Sequence, residues 1–285
     1  MSGPDDRPAT GRSPYHIEIR PNSGLFDLEL RQVWRYRELL DFLVLREIRV
    51  RYKQAALGAA WAVIQPLFAV LIFTAIFGIF ARMPSDGLPY PVFALSALLP
   101  WTYFAEAMRR SSVGLVGDAE LVKKIYFPRL IIPLALVLAP LVDLAISSGV
   151  LLGLMAYYNI WPSWNILLVP FLILIAMTLA LAIGLWLGPI NARYRDVMHT
   201  LPFVVQVWMY ATPIVYPLSM VPERWKALYQ LNPMVGVVEG FRFALLSKGS
   251  PDFEAMAISG VIILILLVGG LAFFRRMEGT FADVI

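Results

Sequence analysis

The stretch GPINARYRDVMHTLP, residues 188–202, sets Arg193, Arg195 and Asp196 between two long apolar runs. Residues 164–189 before it carry no charge, and neither do residues 198–216 after it. A helix needs about 20 mostly apolar residues to cross the hydrocarbon core of a bilayer. The charged tripeptide therefore reads as a turn between two membrane crossings. The same test, carried outward, finds uncharged runs at 58–81, 88–105 and 255–274, and a run at 130–160 interrupted only by Asp143. Six spans are expected, and with them an all-α membrane protein.

Composition agrees. Of 285 residues, 59% are hydrophobic and 15% charged, and mean hydropathy is +0.69. Soluble domains carry about 25% charged residues. Cysteine is absent, which excludes disulfides and thiolate metal sites. The pI of 9.3 does not point to nucleic acid, because the basic residues cluster beside the apolar runs as topology-setting charges do. The first 30 residues hold no apolar run behind a basic head, so no cleavable leader is expected. This Pro/Gly/Ser-rich segment, 1–30, reads as a flexible tail.

Nineteen of the 24 Lys and Arg residues fall before the first span, in the second and fourth loops, or in the 276–285 tail and the Arg275 that adjoins it. The remaining five lie on the other side. Positive charge is retained in the cytoplasm, so both termini and the Arg193–Asp196 turn are expected there.

Three segments are not spans. Residues 31–53, RQVWRYRELLDFLVLREIRVRYK, place charges at steps of three to five, with Tyr36, Leu40, Leu43 and Val44 opposite. This predicts a basic amphipathic helix in the cytoplasmic interface; the alternative is a solvated helix that only anchors topology. Residues 117–129, GDAELVKKIYFPR, predict a short loop helix with Asp118 as its cap, Glu120 and Lys124 at i,i+4, and a basic C-terminal end. It suits docking to a soluble partner, or is simply a basic loop that is helical. Residues 217–252 are apolar for an external loop and are divided by Pro217, Pro222 and Pro233. They predict two short re-entrant helices over 217–246, or a hairpin capping the bundle, with Glu239 and Arg242 three apart on one helical face.

Catalytic chemistry is missing. There is no P-loop and no nucleophile elbow. His16 and His199 stand alone, with no metal-ligand spacing. Asp143 is the one ionisable group within a span, which marks either a functional group facing the bundle interior or a partner for a cytoplasmic-side Arg. No internal repeat of the secondary-transporter kind is visible.

The motifs RYRELLDFLVLREIRVRYKQAALGAAWAVIQP, PWTYF, AELVKKIYFPRLIIPL, NARYRDV, ATPIVYP and NPMVGVVEGFR occur in an order that resembles the ABC-type-2 permeases that export polysaccharides. The resemblance runs over roughly residues 15–280, nearest to O-antigen, capsule and teichoic-acid exporters. It implies a homodimeric permease in a bacterial inner membrane, moving a lipid-linked polysaccharide, O-antigen foremost, with two copies of a separate ATPase. ATP and Mg would be bound by that partner, and this chain would hold no cofactor and no metal and would not be an enzyme. A drug or lipid exporter of the same superfamily is the alternative.

The resemblance further implies roles for residues. Segment 31–53 is similar to the family's interface helix and 117–128 to its coupling helix. Arg35, Arg37, Asp118, Glu120, Lys123, Lys124, Tyr126 and Arg129 would then be ATPase-coupling residues. Tyr194, Arg195 and Asp196 would form a cytoplasmic hinge. An external gate would include Pro217, Pro222, Trp225, Asn232, Pro233, Glu239 and Arg242. A channel between protomers would be lined from the first and fifth spans by Phe68, Phe73, Phe77, Phe80, Phe203, Trp208, Tyr210 and Tyr216. Phe73, Phe77 and Phe80 sit at i, i+4 and i+7, one face of an α-helix. Such rings offer flat apolar surfaces to sugar C–H faces, though aromatic residues in spans also serve as packing or lipid-facing groups.

Overall fold

A computed structural model of the chain describes residues 30–53, 60–124, 127–247, 253–279 and 281. Among the described residues every regular element is helical. Helices α1 (Leu30–Arg35) and α2 (Arg37–Lys53) precede α3 (Ala60–Phe73), which continues as a π-helix, Thr74–Phe80. Then come α4 (Tyr90–Gly117), the short α5 (Ala119–Lys124), α6 (Ile131–Leu138) and α7 (Leu141–Tyr157). A 3-10 turn leads into α8 (Val169–Tyr194), followed by α9 (Val197–Tyr210), α10 (Glu223–Gln230), α11 (Pro233–Leu246) and α12 (Phe253–Glu278).

Among the described residues four stretches are long and apolar enough to cross a membrane: Ala60–Phe80, Ile131–Tyr157, Trp164–Tyr194 and Ala255–Glu278. The other two expected spans look different. Residues 88–105 fall in α4, whose 28 residues extend about 42 Å but carry Glu106, Arg109 and Arg110. Residues 198–216 yield only the 14 residues of α9; Ala211–Tyr216 is irregular backbone. The 130–160 run is also divided. Pro140 precedes α7 at its N-cap, so Asp143 stands in the first turn of α7, within the stretch Ile131–Tyr157.

Helix α4 is the hub, packed on α6, α7, α8, α9 and α11. Its closest partner, α8, presents a seam of small residues four apart: Ala176, Ala180, Gly184, Gly188 and Ala192, all buried. Small side chains let backbones approach where apolar solvent gives no drive for association. A Cβ on Gly184 would lie 2.6 Å from that of Ser111, so the seam is matched to α4 atom by atom. On the far side of α8, the Trp186 indole N–H donates to the Leu266 carbonyl of α12 at 2.9 Å. Its ring stacks on Phe273 over Gly269 and Gly270.

The expected interface helix is two pieces, parted at Tyr36. Tyr36, Leu40, Leu43 and Val44 do form one side, and it packs on the core built with Leu115, Phe127, Ile131 and Ile132. The opposite side leaves Trp34, Phe42 and Leu45 exposed. Helix α2 thus has two apolar edges, one filled by α6 and one open. Pro66 inside α3 withholds an amide from the Ala62 carbonyl, and the Ser147 hydroxyl of α7 donates to that oxygen instead, at 3.4 Å.

Candidate translocation path and coupling surface

At the α5 end, charge is concentrated between α2, α4 and α7. Arg46 Nη2 donates to both oxygens of Asp118, at 2.7 and 2.8 Å, and to Glu47 at 2.9 Å. Arg51 lies 2.5 Å from Asp143 and 3.6 Å from Glu106. Arg110 contacts Glu106 at 2.7 Å and Glu47 at 3.4 Å, and Arg109 completes the set on Glu106 at 3.0 Å. Tyr52 donates to Asp143. Four guanidinium groups thus neutralise four carboxylates, as partly buried charges require. The hydrogen bond to Asp118 holds Arg46 above its ordinary range. Burial, aided by the neighbouring Asp143 carboxylate, pushes the Tyr52 phenol up to about 12. Asp143 is therefore an ion-pair partner of Arg51, one of the two roles its sequence position allowed.

The expected coupling residues divide in two. Glu120 and Lys124 pair at 2.8 Å on the exposed side of α5. Lys123, Arg35 and Arg37 are exposed as well, with the Arg37 guanidinium over the Trp34 ring. Asp118 and Arg129 turn inward. The Asp118 carboxylate is engaged by Arg46. Arg129 donates to the Glu278 carbonyl and lies 5.7 Å over Phe281, tying that loop to the end of α12. Tyr126 lies outside the described residues.

The turn between α8 and α9 is made by Arg195 in the left-handed region, φ 52°. Its N–H closes onto the Asn191 carbonyl at 2.9 Å. Asn191 is buried and accepts the Met198 N–H through its side chain. Arg193 covers the exposed Tyr194 ring, and Asp196 starts α9.

At the other end, the irregular backbone after α9 is satisfied by three side chains. Arg242, 4% exposed, donates to the Ile214 carbonyl at 2.7 Å, pairs with Glu239 at 2.6 Å and lies 3.8 Å over Phe93. Tyr90 donates to the Val215 carbonyl at 2.8 Å. Asn232 caps α11, accepts the Trp208 indole N–H at 2.8 Å and donates to Ala211 and Thr212. Non-helical backbone survives away from water only when protein covers its polar groups, and these residues supply that cover. Pro217, Pro222 and Pro233 mark the joints: Pro217 and Pro222 stand in extended conformation before short helices, and Pro233 opens α11. Trp225 is exposed beside Arg224. It borders an open groove of about 390 Å³ with Tyr216, Tyr229, Met83 and Met220.

The aromatic set expected to line a channel is not on one surface. Phe68, Phe203 and Tyr210 are exposed, and Phe80 is 82% exposed. Phe73 and Phe77 stack on each other at 5.6 Å and pack on Tyr90 and Phe93. The π-helix is the reason. Its i→i+5 bonding, seen in Ala81 N–H to Ile76 O, widens the turn and rotates Phe80 off the face that Phe73 and Phe77 share. Trp208 points inward, edge-on to Phe104 at 5.1 Å and Trp101 at 6.2 Å. The Tyr216 hydroxyl meets that of Tyr229 at 2.8 Å.

Three uncharged polar residues escaped the sequence reading. Gln65 on α3, Thr102 on α4 and Gln206 on α9 are exposed, on helices that pack together. Gln65 and Thr102 share a cavity of about 300 Å³ between α3, α4 and α7, whose charged rim is Arg51, Glu106 and Asp143 and whose floor is Leu95, Leu98 and Leu99. A search for charges alone passes over such amides and hydroxyls.

Comparison with known proteins adds a family profile described as ABC-2 type transporter, which matches residues 38–246. The chain is 29% identical over 258 residues to the O-antigen export system permease protein RfbA of Myxococcus xanthus, spanning 90% of this chain and 98% of that protein. It is 26% identical over 265 residues to the protein of the same name from Klebsiella pneumoniae, spanning 90% and 100%. The polysialic acid transport protein KpsM of Escherichia coli is 27% identical over 247 residues, 84% of this chain and 93% of that one.

Proposed function

The chain belongs to the ABC-2 type transporter family, and on that premise we propose that it is the membrane permease of an ATP-driven exporter of a lipid-linked polysaccharide, O-antigen foremost. The observation that carries this reading is end-to-end likeness: relatives named for O-antigen export are matched over 98% and 100% of their lengths. The match to a polysialic acid transporter keeps the cargo class and makes capsule the second reading.

In this proposal six helices cross the inner membrane. The four long apolar stretches are joined by α4 and by α9, the latter extended by the irregular backbone that Arg242, Tyr90 and Asn232 cover. The Lys and Arg distribution supports cytoplasmic termini, with α5 on the same side. Helices α10 and α11 then form an external gate. A pair of these chains encloses the path along α3, α4 and α9. The exposed Gln65, Thr102 and Gln206 support this, since such groups are disfavoured against hydrocarbon. Phe68, Phe203 and Tyr210 on the same helices offer rings for weak, repeated contact with successive sugars, which a moving polymer needs. Glu120, Lys123, Lys124, Arg35 and Arg37 form the surface offered to a separate ATPase, which binds ATP and Mg.

The test is purification in mild detergent from cells expressing the chain with its neighbouring genes. A co-purifying ATPase is expected, and charge reversal at Lys123 and Lys124 should release it. If none co-purifies with the unaltered chain, the reading fails.

A further inference from the structure

The polar tie at the root of α5 is the Arg46–Asp118 pair. We infer that Arg46 and Asp118 are positioning residues: they join α5 to α2, so that displacement of α5 is carried into α4 and α7 and reaches the rim of the α3–α4–α7 cavity. The inference rests on the proposed role of α5 as the surface moved by an ATPase.

The geometry has three parts. Asp118 ends α4 and immediately precedes α5. Its carboxylate accepts two hydrogen bonds from one Arg46 nitrogen, 72 residues away in sequence. Such charge-assisted contacts are short and roughly twice as strong as neutral ones. Among the described residues α5 packs extensively on no other helix, and its Leu121 reaches the core around Leu115 and Phe127. A force on its exposed charges therefore passes through its root. Along α2, five residues beyond Arg46, Arg51 meets Asp143 of α7 and Glu106 of α4. Arg110 closes the circuit between Glu47 and Glu106. Since Arg51, Glu106 and Asp143 are also the cavity rim, movement of α2 displaces that rim. The salt bridges run in one chain from α5 to the cavity, with α2 as the rigid rod between them.

The test separates transmission from mere stability. In the chain purified with its ATPase, Arg46→Gln and Asp118→Asn should keep the ATPase bound and hydrolysing. Surface polysaccharide delivered per ATP hydrolysed should fall at least about tenfold, the factor that loss of one charged hydrogen bond represents. The exchanged pair, Arg46→Asp with Asp118→Arg, should recover most of it. An unchanged ratio in both single variants overturns the inference, as does an exchanged pair that folds and fails to recover. If the single variants do not fold, Arg46→Lys, which keeps the charge, should give an intermediate ratio at an unaltered melting temperature; a full ratio overturns the inference.

A second measurement needs no ATPase. The chain lacks cysteine, so spin labels at Lys123→Cys and Val50→Cys, in doubly labelled chain diluted with unlabelled chain, report the α5–α2 distance within one protomer. Its distribution should be narrow, broaden in Arg46→Gln and narrow again in the exchanged pair. A width unmoved by Arg46→Gln overturns the joint, whatever becomes of the partner ATPase.

Discussion

Arg242 shows how much one side chain can hold. Its guanidinium covers Phe93, neutralises Glu239 and satisfies the Ile214 carbonyl. Removing one partner of a buried pair leaves the other charge uncompensated. Arg242→Ala is expected to lose about 3 kcal/mol, and Arg242→Lys, which keeps the charge but not the planar fork, clearly less; thermal melting in detergent reads both. At the opposite end, Asp143→Ala leaves Arg51 with Glu106 alone and strands the Tyr52 hydroxyl, for a loss of about 2 kcal/mol in the same measurement. Tyr52→Phe should lose about 1 kcal/mol. The Glu239–Arg242 pair was legible from a spacing of three within a helical pattern. The roof over it, Phe93, and the carbonyl it reaches, on Ile214, were not, because no helical period links Arg242 to residues 149 and 28 positions away. Asp143 was legible as a question. Its answer, Arg51, lies on another helix 92 positions away, which hydropathy does not register.

Among elements, α8 carries the most exacting requirement. Its seam of small residues meets Ser111 so closely that Gly184→Ala must displace it, for an expected loss of about 1–3 kcal/mol; Ser111→Gly in the same chain should recover most of that. Yield of folded chain on size exclusion and its melting temperature are the measurements. The repeat of four from Ala176 to Ala192 is plain in the sequence once sought, yet an apolar run reads the same to a hydropathy sum whether its residues are Ala or Leu. The helical class, the positions of α3, α8 and α12 and the existence of α5 followed from apolar length and charge. The division of 31–53 at Tyr36 did not, since no proline or glycine marks it. Nor did the early end of α9, where Arg242, Asn232 and Tyr90 replace helical hydrogen bonds with side-chain ones.

At the scale of the molecule, exposure distinguishes two kinds of apolar surface. Val261, Leu264 and Ile265 on α12 are exposed with no polar neighbour among them, as a lipid-facing helix requires. The exposed side of α3 and α9 mixes aromatic residues with Gln65 and Gln206. Single cysteines introduced at Gln65, Gln206 and Phe203 are therefore expected to react with a water-soluble maleimide in intact vesicles at least about tenfold faster than cysteines at Val261 or Ile265, because thiolate forms only in contact with water. Equal rates would mean that α3 and α9 face hydrocarbon. This distinction could not be read from the chain, where both helices are aromatic-rich apolar runs. What could be read was the order of motifs from residue 35 to residue 242, and that order, not any single residue, carried the family resemblance.

The π-helix at Thr74–Phe80 has a consequence for length. Wider turns hold more residues per unit of rise than α-turns do, so this stretch contains slack. Excising one residue between 74 and 80 should let it tighten to ordinary helical pitch, leaving Arg82 and Met83 seated beyond it. Excising one between 61 and 72, where pitch is already ordinary, would swing Gln65 and Pro66 out of register with Thr102 and Ser147. The C-terminal end of α3 is thus the place where this helix can be lengthened or shortened without resetting the cavity beside it.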